Sequence, residues 1–302
     1  MSSPLFDESF LKKLYTIGLI VKKQILNKSA GEKSAFRRGG KIEFSDYRNY
    51  SFGDDIKQVD WNVFGKTEKL FIKEFDKEES TTVYLVLDLT LSMSLSNEIN
   101  SKANLAKKLV VALGYVSLLA GHKLNLITLS GQEVKSFPKF RRANDIFNVM
   151  RFLEAAKPDG ATEHEVIIRE MRRKIKEKGI IVFISDLMIQ KSGTGDFNDI
   201  KKGFLVFKKS NFEINIIQLL SSADMNAKAK GRLKLVDSET GEIKNVFVDE
   251  TVSDEYMKEV NKFVEDWKSF CIAHGMHFFY ITADTPLEEA MMKIIRQGVL
   301  LK

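Results

Sequence analysis

Residues 83–94 read V-Y-L-V-L-D-L-T-L-S-M-S, and this stretch decides the fold class. Residues 83–87 are apolar throughout and rich in β-branched and aromatic side chains, which suits a strand buried on both faces, as in a parallel sheet. The run stops at Asp88, and Thr90 and Ser92 follow at alternate positions, one carboxylate and two hydroxyls. A long helix begins at Ser101, with Leu105, Leu109, Leu113 and Val116 on one face. In open α/β sheets, ligands gather beyond the carboxyl ends of the strands, where loops and helix N-termini converge. Oxygen donors suit a hard cation such as Mg²⁺ or Mn²⁺. Asp88, Thr90 and Ser92 are therefore candidate metal residues, with the hydroxyls expected on a solvent-facing crest.

Downstream the pattern repeats. Residues 124–129, 180–185, 214–220 and 278–282 read as further strands, with a shorter one at 134–137. Helices are expected over 144–156, 165–178 and 197–209, then from a cap at Ser253 or Asp254 to about His274, and again from Pro286, a first-turn proline. Strands alternating with helices specify a mostly parallel sheet covered on both faces, a doubly wound α/β fold. Residues 231–249 interrupt the alternation as a hairpin insertion, turning at D-S-E-T-G over 237–241. The strand at 180–185 also ends in an aspartate, Asp186, and the loop P-D-G-A-T-E-H over 158–164 carries Thr162. Neighbouring parallel strands present their carboxyl ends together, so Asp88, Thr90, Ser92, Thr162 and Asp186 should converge.

Upstream, residues 9–26 form an amphipathic helix on which Leu11, Leu14, Ile17 and Val21 share a face. Residues 28–41 read as a loop dense in Lys, Arg and Gly, either a solvated connector or a phosphate contact. Gly53-Asp54-Asp55 signals a turn, and residues 70–75 alternate as a strand. Gly65-Lys66-Thr67 imitates the end of a phosphate-binding loop, but that pattern needs glycine where Asp60 stands, so no nucleotide site is expected. The chain thus divides into an N-terminal helix and β-containing extension, 1–80, packed on a main domain, 81–302.

Composition narrows the function. With 44% hydrophobic residues the 302-residue chain can build a large core, which excludes wholesale disorder. The formal charge of +6 is only mildly basic on a chain this long. A sole cysteine, Cys271, excludes an internal disulfide and reads as a core residue in a reducing compartment. Residues 1–10 do not read as a signal peptide. The longest apolar run, 109–121, falls short of the roughly 20 residues a bilayer needs and reads as a buried helix. A cytoplasmic protein without a membrane span is expected. The four histidines are scattered, and no metalloprotease pair, nucleophile elbow or dinucleotide fingerprint occurs, so the chain does not read as an enzyme.

The converging five residues resemble the metal-ion-dependent adhesion site of von Willebrand factor A domains: D-x-[ST]-x-S, a distant Thr, then a distant Asp. The resemblance implies Mg²⁺ (or Mn²⁺) held directly by Thr90 and Ser92, and by Thr162 directly or through water. Asp88 and Asp186 would then act mostly through water. Thr90 stands where serine is more frequent, and the hydroxyl is kept. An ion held by neutral hydroxyls is under-neutralised, so it should recruit a partner's carboxylate.

The block over 43–79 is similar to the signature of the bacterial family called domain of unknown function 58. The matching residues are Glu43-Phe44, Tyr47-Arg48-x-Tyr50, Gly53-Asp54-Asp55-Ile56, Asp60-Trp61-Asn62, Lys73-Glu74 and Glu78. Later come Leu235-Val236-Asp237-x-Glu239-Thr240-Gly241 and Tyr256. This likeness implies a von Willebrand A-like fold and an adaptor for a MoxR-type AAA+ ATPase, binding it or its client through an acidic residue. Many members carry an N-terminal membrane anchor, whereas a cytoplasmic form is expected here. Two rival readings stand beside it. One is a nucleic-acid or anionic-surface binder using Arg37, Arg38, Lys41 and the Arg172-Arg173-Lys174 helix face, marked by steep salt dependence. The other is a metal-dependent hydrolase, for which Asp186 or His164 would have to serve as the base.

Overall fold

The structure, a computed structural model, describes residues 4–37, 44–49, 59, 61–67, 69–75, 81–94, 101–131, 133–160, 164–188, 198–225, 231–236, 243–297 and 300. The chain separates into two compact units, one made of Met1–Lys22 with Thr81–Lys302, the other of Lys23–Ser80. The first 22 residues thus belong with the main domain rather than with the segment that follows them.

The smaller unit holds the end of helix α1 (Glu8–Arg37), then β1 (Phe44–Asn49), α2 (Trp61–Thr67) and β2 (Phe71–Phe75). β1 and β2 pair antiparallel, Tyr47 opposite Lys73. The loop expected over 28–41 is helical as far as Arg37. Its Lys, Ala, Glu and Arg residues are good helix formers, and lone Gly31 costs only about 1 kcal/mol against alanine. Gly65, Lys66 and Thr67 lie in α2, where the Thr67 hydroxyl donates back to the Val63 carbonyl at 2.8 Å. This is helix, not a phosphate-wrapping loop. The turn expected at Gly53-Asp54-Asp55 falls outside the described residues.

In the larger unit, β3 (Thr82–Asp88) leads through a short 3-10 turn (Leu91–Ser94) to α3 (Lys102–Leu119). Then come β4 (Lys123–Ser130), β5 (Glu133–Ser136), α4 (Ile146–Ala155), α5 (His164–Lys174) and β6 (Gly179–Ser185). After these lie α6 (Asn198–Lys209), β7 (Glu213–Leu220), the one-turn α7 (Ser222–Met225), β8 (Gly231–Val236) and β9 (Ile243–Val248). The unit closes with α8 (Glu250–Ala273), β10 (His277–Thr282) and α9 (Leu287–Arg296). The sheet order is β10-β7-β6-β3-β4-β5, parallel except for the edge strand β5. This is the doubly wound arrangement that the alternation of strands and helices implies, and the von Willebrand A-like fold that the resemblance implies. β8 and β9 form a separate antiparallel hairpin.

All seven residues of β3 are buried, as expected for a central parallel strand. Connections from β3 run one way, to β4 and β5, and those from β6 run the other way, to β7 and β10. The switch point therefore lies between β3 and β6, where a doubly wound sheet leaves its cleft. On one face α3 is buried almost all round, because α1 lies against its far side. Phe10, Leu14, Ile17 and Val21 of α1 are buried, and a methyl on Gly18 would come within 2.7 Å of the Tyr115 ring. On the other face, Phe204 stands edge-on to Phe183 at 5.2 Å and to Trp267 at 6.4 Å. Each such side chain contributes about 1.5–3 kcal/mol on burial. Cys271 lies in this cluster, where burial pushes its thiol up to about 12 and leaves it unreactive. The cap of α8 lies four or five residues earlier than expected: Asp249, not Ser253 or Asp254, accepts from the Val252 amide at 2.9 Å. Among the described residues no helix is long and apolar enough to cross a membrane.

Candidate metal centre

The end of β3 turns sharply because Asp88 captures the chain that follows it. Its Oδ1 accepts from the Thr90 amide at 2.9 Å and the Thr90 hydroxyl at 2.7 Å. Its Oδ2 accepts from Ser185 Oγ at 2.6 Å, and Ser185 ends the neighbouring strand β6. Thr90 Oγ1 then sits 3.0 Å from Ser92 Oγ. The loop carrying Asp159 and Gly160 is clamped over this turn, with Asp159 N donating to Leu89 O and Leu91 N to Gly160 O, each at 2.9 Å. Gly160 must be glycine. Its φ is +56°, and a Cβ there would meet Gly131 Cα at 2.7 Å.

Asp88, with no exposed surface, has no cation paired to it among the described residues. Burial raises its pKa, to about 6, and the negative charge of Asp186 adds to the rise, while the Ser185 and Thr90 hydrogen bonds pull the other way. The carboxylate holds a hydroxyl pair in place and lacks a positive charge of its own.

Asp186, the residue after β6, has a different neighbourhood. Its Oδ2 lies 2.8 Å from Lys102 Nζ, and its Oδ1 accepts from the Met188 amide at 3.0 Å. The same ammonium lies 3.0 Å from Asp224 Oδ2, on α7 beyond the end of β7. Asp224 also accepts from the Ser221 amide at 2.7 Å and the Ser221 hydroxyl at 2.8 Å. Side-chain exposure is 1% for Lys102, 0% for Asp186 and 8% for Asp224, so this is a buried ion triad. Burial works to lower the Lys102 pKa, but the two carboxylates outweigh it and carry it above its ordinary value. The lysine is held charged.

The structure therefore brings together Asp88, Thr90, Ser92 and Asp186 from the sequence reading. Thr162, and the His164 side chain, lie outside what is described. The hydroxyls are not on an exposed crest: Thr90 is 2% and Ser92 6% accessible, because the loop at 159–160 covers them. Asp186, gripped by an ammonium, is not poised as a general base. Lys102, Asp224, Ser185 and Ser221 escaped the sequence reading. Lys102 did leave a signal. Ser101 caps α3, accepting from the Asn104 amide at 3.2 Å, which puts a lysine at the first helical position, where the helix dipole disfavours a cation unless a carboxylate faces it.

A hard divalent ion fits part of this donor set. Two ligands about 2.0–2.1 Å from Mg²⁺ and at right angles lie about 2.9 Å apart, close to the separation of the Thr90 and Ser92 oxygens. Both hydroxyl protons can turn away, towards Asp88 or each other, leaving lone pairs free. Among the described residues no three His, Cys, Asp or Glu side chains gather as a metal-holding group. The fit is to hydroxyls backed by one carboxylate.

The family model for the protein of unknown function DUF58 matches residues 46–265. Uncharacterized proteins of Mycobacterium bovis and Mycobacterium tuberculosis are each 22% identical over 255 residues, 83% of this chain and 78% of theirs. Among solved structures, the conserved hypothetical protein BatB of Bacteroides thetaiotaomicron is similar over 72% of this chain and 98% of its own, at 14% identity and a TM-score of 0.44. The pilus adhesin SpaC of Lactobacillus rhamnosus GG is similar over 74% of this chain and 30% of its own, at 11% identity and a TM-score of 0.48.

Proposed function

The chain belongs to the protein family of unknown function DUF58, and from that membership and its site we propose a non-catalytic module that binds a partner protein through a divalent ion. The observation that carries this reading is the oxygen pair of Thr90 and Ser92, 3.0 Å apart at the switch point of the sheet. Mg²⁺ or Mn²⁺ seated there would offer an open coordination position to a partner's carboxylate. Thr90 and Ser92 supply the neutral donors, and Asp88 orients the Thr90 hydroxyl and adds negative charge behind it. Ser185 fixes the second Asp88 oxygen. Thr162 is the third hydroxyl in this reading. The proposed partner is an AAA+ ATPase of the MoxR type or its client, engaged in the cytoplasm through an acidic side chain.

A pull-down of a MoxR-type ATPase from the same genome, with Mg²⁺ and with EDTA, checks the reading. Ser92→Ala with Thr162→Ala should abolish the EDTA-sensitive capture while the circular dichroism spectrum stays native. Full capture by that double variant, together with its loss on Arg37→Glu with Arg38→Glu, would transfer the function to the basic segment.

A further inference from the structure

The triad of Lys102, Asp186 and Asp224 has no part in the binding step just described, yet among the described residues it contains the most deeply buried ammonium and two of the three buried carboxylates. The three side chains come from three separate elements: the first turn of α3, the residue after β6, and α7 after β7. α7 is tied onward by the Tyr256 hydroxyl of α8, which donates to the Asp224 carbonyl at 2.9 Å. Asp186 is anchored from behind as well, its carbonyl accepting from Gln218 Nε2 at 3.2 Å. An ammonium on a four-carbon stem therefore occupies the place between two carboxylates that a free cation would otherwise fill.

We propose that Lys102 is a tethered cation of this site, which holds Asp186 and Asp224 out of the shell of any divalent ion on Thr90 and Ser92 and keeps the cleft folded when no ion is present. This rests on the metal reading above and deepens it, since it assigns the site two cation positions, one permanent and one exchangeable. Charge counting supports the division. With all groups ionised, three aspartates and one lysine leave two negative charges, which one divalent ion would neutralise. The lysine's positive charge also lowers the affinity of the neighbouring position for that ion, as expected of an ion that must exchange.

Lys102→Met, which keeps the apolar stem and removes the charge, tests this. Thermal melting and direct Mn²⁺ binding, followed by the electron paramagnetic resonance of free Mn²⁺, are measured with the full chain in EDTA and in millimolar Mn²⁺. The wild type should melt within a few degrees in both. Lys102→Met should melt about 10 °C lower in EDTA, because two buried carboxylates lose their counter-charge. It should recover at least half of that loss in Mn²⁺ and bind Mn²⁺ at least tenfold more tightly than the wild type. Adding Asp186→Asn and Asp224→Asn to it should restore the melting temperature in EDTA and erase the gained affinity. If Lys102→Met gains no Mn²⁺ affinity, the proposal is overturned, whatever the wild type binds. If the triple variant also fails to fold, the site needs the lysine's packing rather than its charge, and the proposal is overturned likewise. The metal reading fails separately: a wild type that binds no Mn²⁺ beside a Lys102→Met that does would remove the exchangeable ion and leave the tethered one.

Discussion

Asp88 and Asp186 stand at the ends of two neighbouring parallel strands, both without exposed surface, and the chain treats them in opposite ways. Asp186 has an ammonium at 2.8 Å. Asp88 has hydroxyls and an amide, and its pKa is raised to about 6. A carboxylate buried with a cation is a structural bolt, and one buried with neutral donors keeps its charge uncompensated. The pair therefore separates the permanent part of the site from the part that can respond to solution conditions.

The largest effect is expected on the bolted side. Asp186→Ala leaves Lys102 with Asp224 alone and should cost about 3 kcal/mol, read as a shift in the urea midpoint at constant slope. A loss below about 1 kcal/mol would mean that Asp224 suffices and that the two strand ends are less different than they look. Next comes Asp88→Asn, measured in EDTA. Folded Asp88 holds its proton more tightly than the unfolded chain does. Its contribution is thus complete below about pH 4 and is lost as pH rises through about 6. The asparagine variant should show a flatter pH profile over that window and at pH 7.5 be more stable than the wild type, by about 1–2 kcal/mol. Lower stability at pH 7.5 would reveal a cation partner for Asp88 and break the contrast. Smallest is Thr90→Ser, which deletes one buried methyl at about 1 kcal/mol or less and should keep the whole Mn²⁺ response. Losing that response would show that the methyl, not the hydroxyl, sets the loop.

Much of this site is written locally. Asp88, Thr90 and Ser92 lie within five residues, and the apolar run before them marks a buried strand end, so their meeting needs only β3 and the turn that Asp88 itself caps. The doubly wound sheet was legible for the same reason: β3 and β6 are apolar runs, β7 is mostly so, and their length and the helices between them leave few other arrangements. Elsewhere local signals misled. The basic stretch after residue 28 looks like a loop by charge and glycine, yet helix propensity carries α1 to Arg37.

The strand order is what the sequence could not state. By itself the sequence marked the strands of the main sheet and roughly where each ends, though not β1, and showed that an aspartate and two hydroxyls stand at the end of β3. Only the tertiary structure decided that β3 and β6 are neighbours at the switch point, with β7 beside them. That placement brings Lys102, Asp186 and Asp224 together although 84 residues separate the lysine from the first aspartate and 38 separate the two aspartates. Ion pairing at such range has no local periodicity to betray it. It exists because burial makes an unpaired charge costly, and the order of the strands brings these three side chains within reach of one another.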